Sequence, residues 1–175
     1  MNPRLLSALL GALIVLASFG PAAARIWSYE DIKSGPFEEN ADASVAIDAA
    51  LLSARGAGKH VLAVLGGNWC HDSRAFARYL DDPAVKRITD AHFVVVFVDV
   101  GRRDRNLDVA QRFKAPELTG TPTILILDAD GRLLNAEATS EWTQADSRSA
   151  PELAAFLGRF VPESVFPPAD HPVSD

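Results

Sequence analysis

Three short apolar runs, His60–Leu65, Phe93–Val100 and Ile124–Leu127, show no alternation of apolar and polar positions. A half-buried strand alternates, so unbroken runs of this length predict strands covered on both faces. Helical spacing lies between them. Asp42 caps a predicted helix through Val45, Ile47, Ala50, Leu51 and Leu52 that ends at Gly56-Ala57-Gly58. From Cys70 a helix is predicted through Phe76 and Tyr79 to Leu80. A short one follows from Asp82-Pro83, with Asp82 as cap and the proline in the first turn, where its missing N–H costs nothing. Leu107–Phe113 also reads as a helix, as does Pro151–Val161, apolar at Leu153, Phe156, Leu157 and Phe160 with Ser149 or Ala150 as cap. Asp128-Ala129-Asp130-Gly131 is a hairpin turn signal, with Arg132–Ala136 returning as a fourth strand. Taking the helices around Asp82 together, the order is α, β, α, β, α, β, β, α. It predicts an α/β fold with a central, partly parallel sheet and helices on both faces.

The ends of the chain follow other rules. Arg4 gives a short basic start, Leu5–Phe19 is almost wholly apolar, and Ala22-Ala23-Ala24 offers small residues for cleavage. This is the tripartite pattern of a secretory signal peptide. The apolar stretch is shorter than the ~20 residues of a spanning helix, and Gly20-Pro21 interrupts it. The expected mature chain begins near Arg25, is exported to a bacterial periplasm or beyond, and has no membrane segment. Residues 1–24 are then the leader, 25–41 an N-terminal extension with irregular or edge-strand character, 42–161 the domain, and 162–175 a proline-rich, acidic, disordered tail. At 175 residues, 48% hydrophobic and 23% charged, the chain is ordinary for one globular domain with terminal extras. The net charge of −6 and the lack of a basic stripe argue against nucleic acid or anionic membranes as partners. Gly101-Arg102-Arg103-Asp104-Arg105 is the one basic cluster, read as a solvated loop; the stretch from Asp99 to Asn106 is read as a connection, with a substrate-facing insertion as the alternative.

Cys70 is the only cysteine. In an exported protein an unpaired thiol is a reactive group, an intermolecular partner or a leftover. Set between a buried strand and a helix, Cys70 falls at a helix N-terminus, whose free N–H groups and dipole favour a thiolate. His71 adds positive charge or a hydrogen bond, or is simply a polar residue on an exposed turn. A thiolate there suits attack on a disulfide, a sulfenic acid or a mixed disulfide. Trp69, His71 and the helix start argue for exposure of Cys70. Asp72 reads as a first-turn acid. A Cys70–His71–Asp72 metal site is disfavoured, because adjacent ligands on one helical turn point in different directions. No metal and no cofactor are expected. Pro122, after Gly120 and ahead of a strand, is either a cis proline or a trans loop proline.

Trp69-Cys70-x-x-Ser73 after an apolar strand, then Asp82-Pro83-Ala84-Val85, a strand ending Asp99-Val100, and Thr121-Pro122-Thr123 before Asp130-Gly131, together resemble the thioredoxin-like superfamily. The likeness spans about Asp42 to Val161, and is greatest to exported members with a Trp-Cys-x-x-Cys motif. It implies a thioredoxin fold with Cys70 as exposed nucleophile, Pro122 cis beside it, Thr121 pairing its backbone with an extended substrate, and Trp69 on the rim. The sequence departs from the family at two positions. Ser73 stands where the resolving cysteine would be, so no dithiol cycle can run within the chain. Its hydroxyl either hydrogen-bonds the thiolate or is a relic. Val64 stands where thioredoxins often carry a buried aspartate that serves that second cysteine.

Two functions follow. Cys70 can act as a monothiol, forming a mixed disulfide with a cysteine-containing client protein or a small thiol, to be resolved by an external thiol. Alternatively the fold is a non-catalytic binding module that presents the groove around Trp69 and Pro122 to a partner. A dimer linked through Cys70 is a third, minor arrangement.

Overall fold

The computed structural model describes residues 35–162. The expected leader, residues 25–34 of the N-terminal extension and all of the expected tail but Pro162 lie outside the described residues. In chain order the elements are α1 (Ala43–Ala57), β1 (His60–Gly66), α2 (His71–Tyr79), α3 (Pro83–His92), β2 (Phe93–Asp99), α4 (Asp108–Arg112), β3 (Thr123–Leu127) and α5 (Ala150–Gly158). The helix starts are chemical. The Asp42 carboxylate accepts from the Val45 N–H at 3.0 Å and Asp82 from the Ala84 N–H at 2.8 Å. Ahead of α5, one Glu152 oxygen accepts from both the N–H and the hydroxyl of Ser149, at 2.9 and 2.6 Å. That hydroxyl contact holds the Glu152 carboxyl below its ordinary value.

The three strands form one sheet in the order β2-β1-β3, with β1 parallel to β2 and antiparallel to β3. Successive residues point to opposite faces, and both faces are covered. Leu62, Val64, Phe97, Ile124 and Ile126 pack against Phe37, Phe76, Trp142, Leu153 and Phe156. Val61, Ala63, Leu65, Val98 and Leu125 pack against Ile47, Ala50, Ala54, Val109 and Phe113. This is why the strands read as unbroken apolar runs. Trp142 is fully buried, edge-on to Phe76 (5.6 Å) and Phe156 (5.8 Å), with the Arg148 guanidinium 4.8 Å over its ring.

No strand forms within residues 35–41; Phe37 instead buries its ring in the first core cluster, edge-on to Phe97 at 5.2 Å. Full burial of a ring of this size contributes about 1.5–3 kcal/mol, enough to hold the short segment that carries it.

The expected fourth strand at Arg132–Ala136 does not form. The turn closes as expected, with Asp128 N–H donating to Arg132 O and Leu134 N–H to Ile126 O, and Leu127 bridges to Leu133. Pairing then passes from backbone to side chain. The buried Asn135 amide accepts from Ile126 N–H at 2.8 Å and donates to Ile124 O at 2.9 Å, and Ile124 N–H reaches Thr139 O. One amide thus satisfies the β3 edge that a strand would have covered, and the chain is free to turn into a 3-10 segment at Ala136–Ala138. Asn135→Ala should orphan both β3 groups and cost about 1–3 kcal/mol by urea denaturation; an unchanged midpoint would contradict this role.

Candidate active site

The site lies at the end of the sheet where β1 and β2 finish and β3 begins. Val100 N–H donates to Gly66 O, keeping the two parallel strands together to their last residues. The chain then turns through Gly67-Asn68-Trp69, closed by Cys70 N–H to Gly67 O at 3.0 Å, and enters α2 with Cys70 as the N-cap. Because β3 runs antiparallel with Thr123 opposite Leu65, residues 120–122 arrive at this same end. Thr123 Oγ1 donates to Gly120 O at 2.8 Å and fixes that approach. The Thr121–Pro122 bond is cis, and the Cys70 thiol donates to Thr121 O at 3.3 Å.

The expected exposure of Cys70 needs correcting. Its neighbours Trp69 and His71 are exposed, but Cys70 itself is buried, 6% accessible. As N-cap residue it turns its sulfur inward onto Thr121 and makes no capping bond with its side chain. Of the two readings of Ser73, the hydrogen bond to the sulfur does not form. Ser73 Oγ is fully buried and has no hydrogen-bond partner. It lies against Gly66, where an added Cβ would stand 2.5 Å from that oxygen and 2.9 Å from the Phe37 ring.

Trp69 does form a rim. It is 45% exposed, its Nε1–H donates to Gly101 O at 2.7 Å, and the Arg102 guanidinium stacks 5.3 Å from its ring. Gly67 makes room for this, since a Cβ there would meet the indole nitrogen at 2.6 Å. The basic loop is therefore part of the site's wall. Arg103 and Asn106 adopt left-handed backbone, Val100 O accepts from Arg103 and Asp104, and Asn106 Nδ2 donates to Asp99 O. Asp99 is buried beneath, accepting from Gly101 N–H and pairing with Arg105 at 3.3 Å.

His71 faces two acids. Its Nε2 lies 3.1 Å from Asp72 Oδ2 and 3.4 Å from Asp146 Oδ2, while Asp146 N–H donates to Asp72 Oδ1 at 3.0 Å. Among the described residues the metal-capable donors that come together are thus His71, Asp72 and Asp146, within 4.8 Å of one another, and Cys70 is not one of them. Burial pushes the Asp72 carboxyl above its ordinary value; the Asp146 N–H pulls the other way. Sequence reasoning missed Asp146, distant in the chain. It also missed Asn68, whose amide accepts from Phe37 N–H and donates to Phe37 O, tying the incoming segment to the active-site turn.

A family model described as thioredoxin-like matches residues 42–129. A disulphide isomerase from Xylella fastidiosa Temecula1 is 31% identical, with a TM-score of 0.66 over 71% of this chain and 95% of that one. The chain belongs to the thioredoxin-like family. A thioredoxin from Thermus thermophilus (24% identical, TM-score 0.44, 64% of this chain and 81% of that one) is also similar. So is the oxidised C-terminal domain of Neisseria meningitidis DsbD (21%, TM-score 0.41, 59% and 95%). No curated protein sequence matches the chain.

Of the residues on which the resemblance rested, Trp69, Cys70, Thr121 and Pro122 lie together at this end of the sheet. Val64 is fully buried in the sheet. The acidic pair beside His71 yields a pH prediction. The Asp72 carboxyl is raised in the folded state, so its ionised form costs stability above the folded value, and the cost fades as pH falls through that value. Asp72→Asn, which keeps an acceptor for Asp146 N–H, should gain more stability over wild type at about pH 7 than at about pH 3 in urea denaturation. A gain larger at the acidic end would contradict the assignment.

Proposed function

We propose that this thioredoxin-like protein is an exported monothiol exchange protein with Cys70 as its nucleophile. One observation carries the reading: Cys70, the chain's only cysteine, is the N-cap residue of α2, and its thiol rests on the carbonyl just before cis Pro122. The similarity to a disulphide isomerase supports thiol–disulfide chemistry at that position. The apolar leader pattern of residues 1–24 supports export to the periplasm.

In the first step the Cys70 thiolate attacks one sulfur of a client disulfide or client–small-thiol adduct. A Cys70–S–S–R bond forms, the old S–S bond breaks, and the other sulfur leaves as a thiolate. An external thiolate then attacks the mixed disulfide, taking R into a new disulfide and returning Cys70 as thiolate. No electron is gained or lost by the protein over the cycle. Ser73, buried and without a sulfur, cannot perform the second attack, so release depends on the external thiol. Thr121 has a part in the first step. Its carbonyl accepts the S–H in the free protein, and an extended client that pairs with the backbone there would displace the sulfur from that bond. Trp69 forms the exposed wall of the approach, and His71 sits with its acidic pair at its own edge of the helix start.

The burial of Cys70 favours a second reading, a thioredoxin-fold binding module that presents the Trp69/Pro122 groove to a partner, with the thiol a passenger. Mass spectrometry of the protein recovered from periplasm with free thiols blocked separates the two. Exchange predicts a chain beginning near Arg25 with a reducible adduct on Cys70, and Ser73→Cys should lower that adduct severalfold by supplying an internal resolving thiol. A chain without adduct that also fails to react with glutathione disulfide in vitro, yet retains its partners in Cys70→Ala, would leave the binding module standing.

A further inference from the structure

We propose that the loop after β2 selects clients by charge: Arg102 and Arg103 bind an acidic stretch of polypeptide flanking the client's cysteine. This rests on the exchange reading above and deepens it. The two arginines stand beside the reacting sulfur's neighbours. Arg102 stacks on Trp69, the residue before Cys70, and Arg103 Nη1 donates at 3.0 Å to Thr119 O, two residues before the carbonyl that the thiol touches. Among the described residues neither guanidinium meets a carboxylate, whereas Arg105 in the same loop is neutralised by the buried Asp99. The loop's own exposed acid, Asp104, accepts with Oδ1 from Arg102 N–H and pairs with neither guanidinium. Two cations without an ion-pair partner among the described residues thus stand beside Trp69 and Thr119 in a protein whose net charge is −6.

The arginines also line an open groove of about 550 Å³, whose other walls include Leu107, Gln111, Pro116 and Glu117. A groove of this size has room for a few residues of extended chain. Leu107, 36% exposed, gives it an apolar side, Gln111 offers a polar group for a peptide main chain, and Glu117 is its one acid against two arginines. The loop is rigid enough to present them. Val100 O takes three successive N–H groups, from Arg103 at 2.8 Å, Asp104 at 3.1 Å and Arg105 at 3.5 Å, and Arg105 Nη1 ties the loop to Glu39 O. Charges held in place at a rim steer encounter and discriminate partners more than they add affinity.

The test uses three peptides, each with one cysteine activated as a 2-pyridyl disulfide, flanked by glutamates, by glutamines or by lysines. Attack by Cys70 releases neutral 2-thiopyridone, read by absorbance. The expected order is glutamate over glutamine over lysine, with about tenfold between the extremes at low salt, falling as salt screens the loop. Arg102→Glu/Arg103→Glu should invert the order, and Arg55→Glu/Arg132→Glu, an equal charge change at the turn that joins β3 to Leu133, should leave it. A glutamate-to-lysine ratio within twofold in the wild type, or one that survives the double variant, overturns the proposal. Fluorescence polarisation of a labelled, cysteine-free glutamate peptide on Cys70→Ser protein reads the groove apart from the chemistry. Binding lost in the double variant supports charge selection even if none of the three peptides is attacked, which would count against exchange alone. No binding overturns charge selection even if the glutamine peptide is exchanged.

Discussion

The site depends on β1 having one parallel and one antiparallel neighbour. The parallel partner ends where β1 ends, so the loop from Val100 rises beside the turn that carries Trp69 and Cys70. The antiparallel partner begins there, so Thr121 and Pro122 arrive from the other side. With either sense reversed, the corresponding loop would sit at the far end of the sheet; for β3, the thiol would lose the Thr121 carbonyl on which it rests. The register matters as much, since a slip of one residue would also turn the Leu62/Val64 and Val61/Ala63 faces into the wrong core.

Packing around the thiol is set by two glycines. Gly66 lets the Phe37 ring and Ser73 Oγ close over the strand end, and Gly67 lets the Trp69 indole lie back until it reaches Gly101 O. The segment before the first helix thereby becomes part of the support for the active-site turn, through Phe37 in the core and its paired bonds to Asn68. The same closeness leaves Ser73 with an unpaired buried hydroxyl, consistent with a position shaped for another small side chain rather than for a hydrogen bond to the sulfur.

The fold was legible because its signals are local. Unalternating strands, Asp42 and Asp82 as caps and Pro83 in a first turn each depend on a few adjacent residues, and all appear as read. The proximity of Cys70 to Thr121 was legible only through resemblance, since no pattern within either segment points to the other. The failures were long-range. Asp128-Ala129-Asp130-Gly131 signalled a hairpin, but nothing local shows that the Asn135 side chain replaces the returning strand. The exposure of Cys70 was inferred from polar and aromatic neighbours, while the direction of its side chain is set by a carbonyl 51 residues away. The basic loop is solvated as read, with residues 102–105 exposed, but its contacts with Trp69 and Thr119 lie on other segments and left no local signal.

The central claim is that a covered thiol at this helix start is nonetheless the reactive group of the protein. The direct measurement is the rate of Cys70 carbamidomethylation by iodoacetamide at neutral pH, compared between the folded protein and the same chain unfolded in urea. The account predicts faster reaction in the folded protein, because a residue that serves as the nucleophile must react better in its place in the fold than the same side chain does in an unfolded chain, burial notwithstanding. A folded protein in which Cys70 reacts more slowly than in urea would contradict it.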